Sequence, residues 1–290
     1  MYLFHADDYG VNKNQAKRIL NCYRHGVLRS VSIIPNSPWA AETMTQLPDD
    51  IKKSIHLNLV EGTCVSDPLK IPLLADHNGK FRRSFFQLVL LSVCKRKELS
   101  KQAAIECGAQ ITKMLTLLPD DYKIRIDSHR HYHMIPAVFE AVCAECKKSG
   151  RQIEYIRFPL ERLSIYLLHP GLYKYIRPVN VIKILVLKIC SIRDRKIAKK
   201  YDADVGEADF IGLMLTTQMN LEYVLSVLRL FDGHKDYEKS DDLEVLFHPG
   251  GIKKHEEFID ADNQPMKAFY TSKNRWMEAE TLKELKKYGY

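Results

Sequence analysis

The segment KIRIDSHRHYHMIP, residues 123–136, joins a strand-like apolar run to a polar cluster and then to a proline. Proline is favoured in the first turn of a helix, where a missing N–H leaves no hydrogen bond unmade. His129, His131 and His133 alternate directly after Asp127. This spacing would point three imidazoles to one face of a strand, or crowd them around one point in a loop. The segment therefore predicts a βα unit with a candidate metal or proton-transfer site at its strand end.

Apolar runs and helical patterns alternate along the rest of the chain as well. Strands are predicted at 2–6, 31–34, 54–60, 123–127, 154–158, 209–215 and 243–247. Helices are predicted at 15–24, from Ser37, at 99–118, 136–148 and 275–287. About seven such units predict an α/β fold with a parallel sheet, either closed as a barrel or open and doubly wound.

Ionisable residues collect at the carboxyl ends of these predicted strands. From the first strand to the last they are Asp7, Asp8, His56, Glu61, Asp127, His129, Arg157 and His248. Active sites of α/β barrels are built at this end of the sheet. We therefore expect residues that are far apart in sequence to form one site.

Asp8, His56 and His129 make a plausible ligand set of two imidazoles and one carboxylate, which leaves positions open for water and substrate. Alternatives remain for each residue. Asp7 and Asp8 could form a solvated turn, and His56 could be a satisfied interior histidine. Arg157 could serve a structural ion pair or a substrate contact. The histidines outside the pattern are interpreted as surface or packing residues: His5, His25, His77, His169, His234 and His255.

Four motifs together resemble those of the YdjC-like carbohydrate deacetylases, the family of chitooligosaccharide and hopanoid-associated deacetylases. They are ADDYG at 6–10, HLNLVEG at 56–62, DSHRHYHM at 127–134 and FHPG at 247–250, in family order and spread over nearly the whole chain. The resemblance implies a single deacetylase domain over 1–290, folded as a distorted, incomplete (βα) TIM-like barrel. It also implies one divalent metal ion on Asp8, His56 and His129, with Asp7 as general base and His248 as general acid.

Two positions depart from the family motifs. His5 stands where an asparagine is common, and Arg130 replaces a common histidine. The metal implied by the resemblance is Mg²⁺, whereas imidazole ligands also suit Zn²⁺ or Co²⁺. Residues expected to orient the ligands or to contact substrate are Glu61, Asp127, Arg130, His131, His133 and Arg157.

Composition, the N-terminal sequence and the length of the apolar runs predict a globular, cytoplasmic protein. Its 290 residues, 46% hydrophobic and 28% charged, are typical of a globular protein. The N-terminus has no secretory pattern, and seven cysteines without framework spacing suit a reducing cytoplasm. The longest apolar runs, SFFQLVLLSVC and VIKILVLKIC, are too short or too interrupted by lysine to cross a bilayer.

The net charge of +8 is concentrated in one segment. Residues 157–200 contain eleven Lys and Arg against two acidic residues, a local net charge of +9. We interpret the region around 160–200 as a basic helical insertion, similar in position and character to one in the hopanoid-associated branch. It could pack on the barrel as a solvated helix pair, recruit an anionic or lipid-linked sugar, or touch an anionic membrane face. No recognisable motif supports nucleic-acid binding.

The predicted function is hydrolytic removal of an N-acetyl group from an acetylated amino sugar, which could be an oligosaccharide, phosphorylated or lipid-linked. The products would be acetate and a free amine. A homodimer is a reasonable expectation from the resemblance. The alternatives are a metal-dependent phosphoesterase or other amidohydrolase on the same barrel, and a non-catalytic sugar-binding protein.

Overall fold

The computed structural model describes residues 2–205, 208–233 and 243–290. Within these ranges one sheet contains seven strands, and every pairing between neighbouring strands is parallel. The strands are β1 (Tyr2–Tyr9), β2 (Ser30–Ile33), β3 (Lys52–Leu57), β4 (Ile124–Ser128), β5 (Ile153–Ile156), β6 (Asp209–Ile211) and β7 (Leu243–Phe247).

Helices cover the outside of this sheet. Those before β5 are α1 (Lys13–His25), α2 (Ala40–Met44), α3 (Phe85–Cys94), α4 (Arg96–Leu115) and α5 (Pro136–Lys148). Those after it are α6 (Leu163–Leu167), α7 (Pro178–Tyr201), α8 (Leu221–Gly233), α9 (Gln264–Tyr270) and α10 (Lys273–Glu284). In the described ranges, none of them has both the length and the apolar character that a bilayer-spanning helix needs.

The strand order is β5-β4-β3-β2-β1-β7-β6, and the sheet is strongly curled. In a flat sheet β5 and β1 would lie four strand spacings apart, about 19 Å. Yet Arg157, directly after β5, donates to Asp7 on β1 at 3.0 Å and lies 2.6 Å from Glu244 on β7. The inner side chains of distant strands therefore meet across the interior of a half-barrel.

The two edges of the sheet approach each other without forming a full ladder. The Ile156 N–H at the end of β5 donates to the Asp204 carbonyl at 3.1 Å, and Ile156 forms a single parallel bridge with Val205. Among the described residues, no further strand pairing closes the sheet into a full barrel. The predicted distorted, incomplete α/β barrel with about seven parallel strands is confirmed.

Several predicted boundaries are wrong, each for a local reason. β3 ends at Leu57 rather than near Val60, because the Asn58 side chain accepts the N–H groups of Val60 and Glu61 and makes a turn. β6 stops before Gly212, whose φ of +125° lies outside the range that a side chain tolerates. The helix expected from Ser37 begins only at Ala40, after a turn closed by the Ser37 hydroxyl.

The segment around 160–200 is mostly helical. It contains α6, a 3-10 turn at Pro170–Tyr175 and the 24-residue helix α7. Ile184 and Leu187 are buried on the inner side of α7, which packs against α5. The basic segment thus lies on the outside of the half-barrel, with its first residues near the carboxyl ends of the strands.

Candidate active site

Asp7 and Asp8 both enter the site because β1 is irregular at this point. Consecutive side chains of a regular strand point to opposite faces. Between Ala6 and Tyr9 the register of β1 against β2 shifts, and Asp8 has a left-handed φ of +65°. Such a bulge re-aims side chains and is costly for a non-glycine residue unless its surroundings hold it. Both carboxylates are consequently buried on the inner side of the half-barrel.

His56 is held by the carboxylate on the neighbouring strand. His56 and Asp127 are register partners on β3 and β4, and the His56 Nδ1 lies 2.6 Å from Asp127 Oδ1. The other ring nitrogen, Nε2, is 3.3 Å from Asp8 Oδ1 and makes no hydrogen bond. The free nitrogen of His56 therefore faces Asp8.

His129 reaches the same carboxylate from a loop. It begins a 3-10 turn, His129–Met134, in which Arg130 and His131 both have positive φ, so the alternation of a strand does not apply. The His129 Nδ1 lies 2.8 Å from Asp8 Oδ1, and its Nε2 lies 2.8 Å from Glu61 Oε1. Each of the two imidazoles thus has one nitrogen hydrogen-bonded to its own carboxylate, Asp127 for His56 and Glu61 for His129, and the other nitrogen directed at Asp8.

This arrangement fits a divalent metal ion. Metal-ligating histidines usually donate their second N–H to a carboxylate, which fixes the ring and its tautomer. The ligand atoms of Asp8, His56 and His129 lie within 4.8 Å of one another, and all three residues are buried. Asp8 Oδ2 and His56 Nε2 are buried without a hydrogen-bond partner, which is costly unless something else satisfies them.

The electrostatics of the three residues favour positive charge in this part of the site. Burial alone would lower the pKa of each imidazole, but the nearby carboxylates outweigh it. Asp7 and Asp127 raise the pKa of His56 to about 10, and Glu61 and Asp8 raise that of His129 to about 9. Burial would likewise raise the pKa of Asp8, yet His129 lowers it. The cluster therefore favours cations at its centre, whether protons or a metal ion.

Asp7 belongs to a second cluster, which already contains its cation. Both Asp7 oxygens accept from Arg157 Nη1, at 3.0 and 3.1 Å. Arg157 Nη2 lies 2.9 Å from Asp127 and 2.6 Å from Glu244. Burial would raise the pKa of Asp7, but Arg157 and then His56 hold it well below its usual range. His5, Asp7 and Asp127 could also group around a metal ion, but the guanidinium supplies the positive charge there.

Three residues of this second cluster were not singled out by the sequence pattern. His5 is buried, with its Nε2 3.3 Å from Asp7 Oδ1 and 2.6 Å from the Ser32 hydroxyl. Ser32 in turn donates to Asp127. Glu244 is buried within the otherwise apolar strand β7. Two signals could have found them: His5 lies two residues from Asp7 on one strand, and a lone charge in an apolar strand requires a partner.

The other histidines lie apart from Asp8. His133 contacts the Ser128 hydroxyl at 2.6 Å and the Arg157 carbonyl at 2.7 Å, rather than either candidate ligand. His131 packs edge-on against Phe210, and its Nδ1 has no hydrogen-bond partner. Burial lowers the pKa of both imidazoles, that of His133 to about 4. His25, His77 and His255 are exposed and His169 is half-buried, while His234 lies outside the described residues.

A cavity of about 310 Å³ opens beside the Asp8 cluster. His129, His131 and His248 line its inner end. His248 follows β7, and its imidazole packs against Phe269. Burial lowers the pKa of His248 to about 4. A neutral imidazole therefore borders the space that lies next to the candidate metal ligands.

Three cations line the outer part of this cavity: Arg130, Arg177 and Lys183. Arg130 Nη2 is 3.1 Å from Glu61, the residue that also holds His129. Burial, with Arg130 close by, lowers the pKa of Lys183 to about 7. Arg177 and Lys183 belong to the basic segment 157–200, which therefore contributes directly to this cavity.

These features define a class of protein: a curled parallel α/β sheet whose strand ends carry an aspartate and two histidines able to hold a metal ion, beside a cation-lined cavity. The chain belongs to the YdjC-like protein family, whose sequence model matches residues 2–286. This confirms the resemblance drawn from the four motifs.

Curated relatives match part of the chain. A carbohydrate deacetylase of Thermoanaerobacter pseudethanolicus is 39% identical over 145 residues, 48% of this chain and 53% of that protein. A chitooligosaccharide deacetylase of Yersinia pestis is 25% identical over 173 residues, 59% of this chain and 65% of that protein. The alignments thus span between about half and two thirds of these relatives.

A solved structure supports the fold over its full extent. It is a protein of Enterococcus faecalis V583 provisionally described as a cellobiose-phosphate cleavage protein. The two structures superpose with a TM-score of 0.63 at 18% sequence identity, covering 99% of this chain and 92% of the other. At this identity the likeness concerns the architecture alone.

Proposed function

We propose that this protein is a metal-dependent hydrolase that removes the N-acetyl group from an acetylated amino sugar. The observation that carries the proposal is the convergence of two carboxylate-held imidazoles on Asp8, beside a cavity of about 310 Å³. The matched relatives are named as deacetylases of carbohydrates, which supports the choice of bond and substrate class. The products would be acetate and a free amino sugar.

Asp8, His56 and His129 would hold the metal ion, and Asp127 and Glu61 would orient the two histidines. When bound, a divalent ion would polarise the acetyl carbonyl and lower the pKa of a nearby water. His56 and His129 must be neutral to act as ligands, so their protons would leave as the ion binds. Mg²⁺ follows from the family resemblance, and the two imidazoles suit Zn²⁺ or Co²⁺ equally well.

Asp7 would be the general base. Arg157 grips both of its oxygens and keeps the carboxylate ionised, and Asp7 Oδ2 lies 4.0 Å from His56 Nε2. From there it could accept a proton from water while the water oxygen forms a bond to the acetyl carbon. Arg157 would thus be a positioning residue, because it fixes the base without touching the reacting atoms.

His248 would be the general acid that protonates the sugar nitrogen as the C–N bond breaks. Its imidazole lines the cavity next to His129 and is neutral in the resting site. It must therefore first gain a proton, and negative charge developing on the substrate would favour the charged imidazolium. The proton that Asp7 takes from water would pass to His248 and from there to the nitrogen, so that both residues return to their starting protonation states.

Arg130, Arg177 and Lys183 give the proposed substrate a further property. Two guanidiniums beside a lysine whose pKa is about 7 would stabilise a sugar that carries a negative group, such as a phosphate. The same wall also keeps the phosphoesterase alternative open, since it would bind a phosphoryl group as readily.

The test is mass spectrometry of purified protein incubated with N-acetylated sugars that are free, phosphorylated or lipid-linked, with and without chelator. The proposal expects the mass loss of one acetyl group and the release of acetate, both abolished by chelator and restored by added metal. Phosphate release instead of acetate would identify a phosphoesterase. Sugar binding in calorimetry without turnover, in metal-replete protein, would identify a binding protein.

A further inference from the structure

Helices α3 and α7 expose large apolar side chains over a wide area of the surface. On α7 they are Val179, Ile182, Leu185, Ile189 and Ile192, each 47% to 69% exposed. On α3 they are Phe86, Leu90 and Val93, each 51% to 78% exposed. Their spacings of three and four residues place each set along one side of its helix. We call these eight residues the α3–α7 face.

Both helices are apolar on their inner and outer sides alike. The inner side of α7 buries Ile184, Leu187 and Cys190, and that of α3 buries Phe85 and Leu88. A helix that is apolar all round is normally covered on every side. Here no described part of the chain covers the outer side. These helices contain the two longest apolar runs of the sequence. Of the eight residues of the α3–α7 face, Val179 alone lines the cavity of the candidate active site.

The amino end of α3 lies close to the first half of α7, where the Lys183 ammonium is 5.6 Å from the Phe85 ring. Both helices also pack against α5. Just beyond the other end of α3, Glu140 of α5 accepts from Arg96, the first residue of α4, at 2.6 Å and from Lys200 of α7 at 3.4 Å. The exposed residues of α3 and α7 therefore lie on neighbouring parts of the surface. Contiguous exposed apolar patches of this kind mark interaction sites.

The positive charge around the α3–α7 face favours an anionic lipid surface over a second copy of the chain as its binding partner. Arg193 and Lys196 are exposed on the following turns of α7, and residues 157–200 carry a net charge of +9. A second copy docked by a two-fold axis would bring the same basic segment against itself. An anionic lipid surface would instead attract these charges and bury the apolar side chains at the boundary between headgroups and acyl chains.

We propose that the α3–α7 face docks the protein on the surface of an anionic lipid bilayer. Val179 and Lys183 of α7 also line the cavity, so the docked protein would hold the cavity mouth close to the headgroups. The proposal concerns an interaction surface and does not depend on which reaction the site performs. Neither helix would cross the bilayer, in keeping with their length and charge.

The test is co-sedimentation of the full chain with vesicles of phosphatidylcholine alone, and with vesicles of phosphatidylcholine mixed with phosphatidylglycerol. We expect binding to the mixed vesicles that weakens with added salt, and little binding to the neutral ones. The double variant Arg193→Gln, Lys196→Gln should bind roughly 25-fold more weakly, about fivefold for each basic residue. The matched control Lys286→Gln, Lys287→Gln removes the same charge from another surface and should bind as the wild type does.

A second pair of variants tests the apolar part. Ile182→Ser with Ile189→Ser should weaken binding to mixed vesicles by at least about tenfold, whereas Leu69→Ser, an exposed leucine elsewhere, should not. An unchanged thermal unfolding midpoint would show that each variant is folded. Equal, negligible binding to both vesicle types would overturn the proposal. So would a stable dimer in light scattering that the Ile182→Ser, Ile189→Ser variant dissociates, because the face would then belong to a second copy.

Discussion

Two clusters of buried carboxylates lie side by side at the strand ends, and they differ in the origin of their positive charge. Around Asp7, Asp127 and Glu244 the chain itself supplies a cation, the guanidinium of Arg157. Around Asp8 it supplies two imidazoles, whose nitrogens His129 Nδ1 and His56 Nε2 lie 2.8 and 3.3 Å from Asp8 Oδ1. Neighbouring carboxylates thus belong to an ion network with its own cation in one place and to a site that could hold an added metal ion in the other.

The difference follows from chemistry as well as position. A guanidinium stays charged in proteins and offers five donors, so it can serve several carboxylates at once. An imidazole can be neutral and present a lone pair, which is what a metal ion needs. Asp7 and Asp8 are adjacent in sequence, yet the bulge in β1 sends one carboxylate to each cluster. We expect the two clusters to respond differently to substitution.

The largest effect should come from removing the cation that the chain supplies. Arg157→Met would leave Asp7, Asp127 and Glu244 buried without their partner. Removing one partner of a buried ion pair typically lowers the free energy of unfolding by about 3–5 kcal/mol. The measurement is the free energy of unfolding in urea. Arg82→Met is the control: Arg82 is 63% exposed in its pair with Asp76, so the cost should be below about 1 kcal/mol. Equal effects in the two variants would contradict the description of the Arg157 cluster.

The next largest effect separates the adjacent aspartates. Asp7→Asn should lower kcat by roughly 10² to 10⁴, the usual contribution of a positioned base, while metal binding persists. Asp8→Asn should abolish metal binding as well as turnover. Steady-state kinetics on an acetylated sugar, together with calorimetric titration of the metal, distinguishes the two variants. Near-wild-type turnover in Asp7→Asn would remove that residue from the mechanism.

A smaller effect tests the carboxylates that hold the imidazoles. Glu61→Gln should weaken metal binding about 10- to 100-fold, because His129 loses the partner that fixes its ring. Glu106→Gln is a matched control: Glu106 is equally buried, but it holds the N–H groups of Val65 and Ser66. Its metal affinity should be unchanged. If both variants bind metal as the wild type does, Glu61 has no role in orienting His129.

The smallest effect concerns a buried carboxylate that lies outside both clusters. Both oxygens of Asp194 lack a hydrogen-bond partner, and burial raises its pKa to about 9. The folded protein therefore holds a proton that the unfolded chain releases near pH 4, so stability should fall as the pH rises from about 4 to 9. Asp194→Asn should remove this dependence and raise the unfolding midpoint at pH 8 by roughly 2–4 °C per kcal/mol recovered. Parallel pH profiles of wild type and variant, measured by calorimetry, would refute this.

The sequence predicted the sheet and the convergence of strand ends because both follow from periodicity. Short apolar runs identified the seven strands that the described residues contain, and parallel strands necessarily bring their carboxyl ends to one edge. Asp7, Asp8, His56, Asp127, His129 and Arg157 were all expected at that edge, and the structure brings them together. His248 lies there too, across the cavity.

Other features depend on backbone detail or on contacts between distant strands. The positive φ of Arg130 and His131 turns the alternating histidines away from one another, so their spacing does not describe their directions. The partnership of Arg157 with Glu244 requires the sheet to curl, which local patterns do not encode. His5 was interpreted as a surface or packing residue because its partners, Ser32 and Asp127, come from other strands.

The most direct test of the central claim is anomalous diffraction from crystals of the protein soaked in a divalent metal, with Zn²⁺ as the probe. The account predicts one strong peak among Asp8, His56 and His129, absent in Asp8→Asn, and none among Asp7, Asp127 and Glu244 around Arg157. A peak in the Arg157 cluster would contradict it. So would the absence of a peak at Asp8, if the protein binds Zn²⁺ in solution.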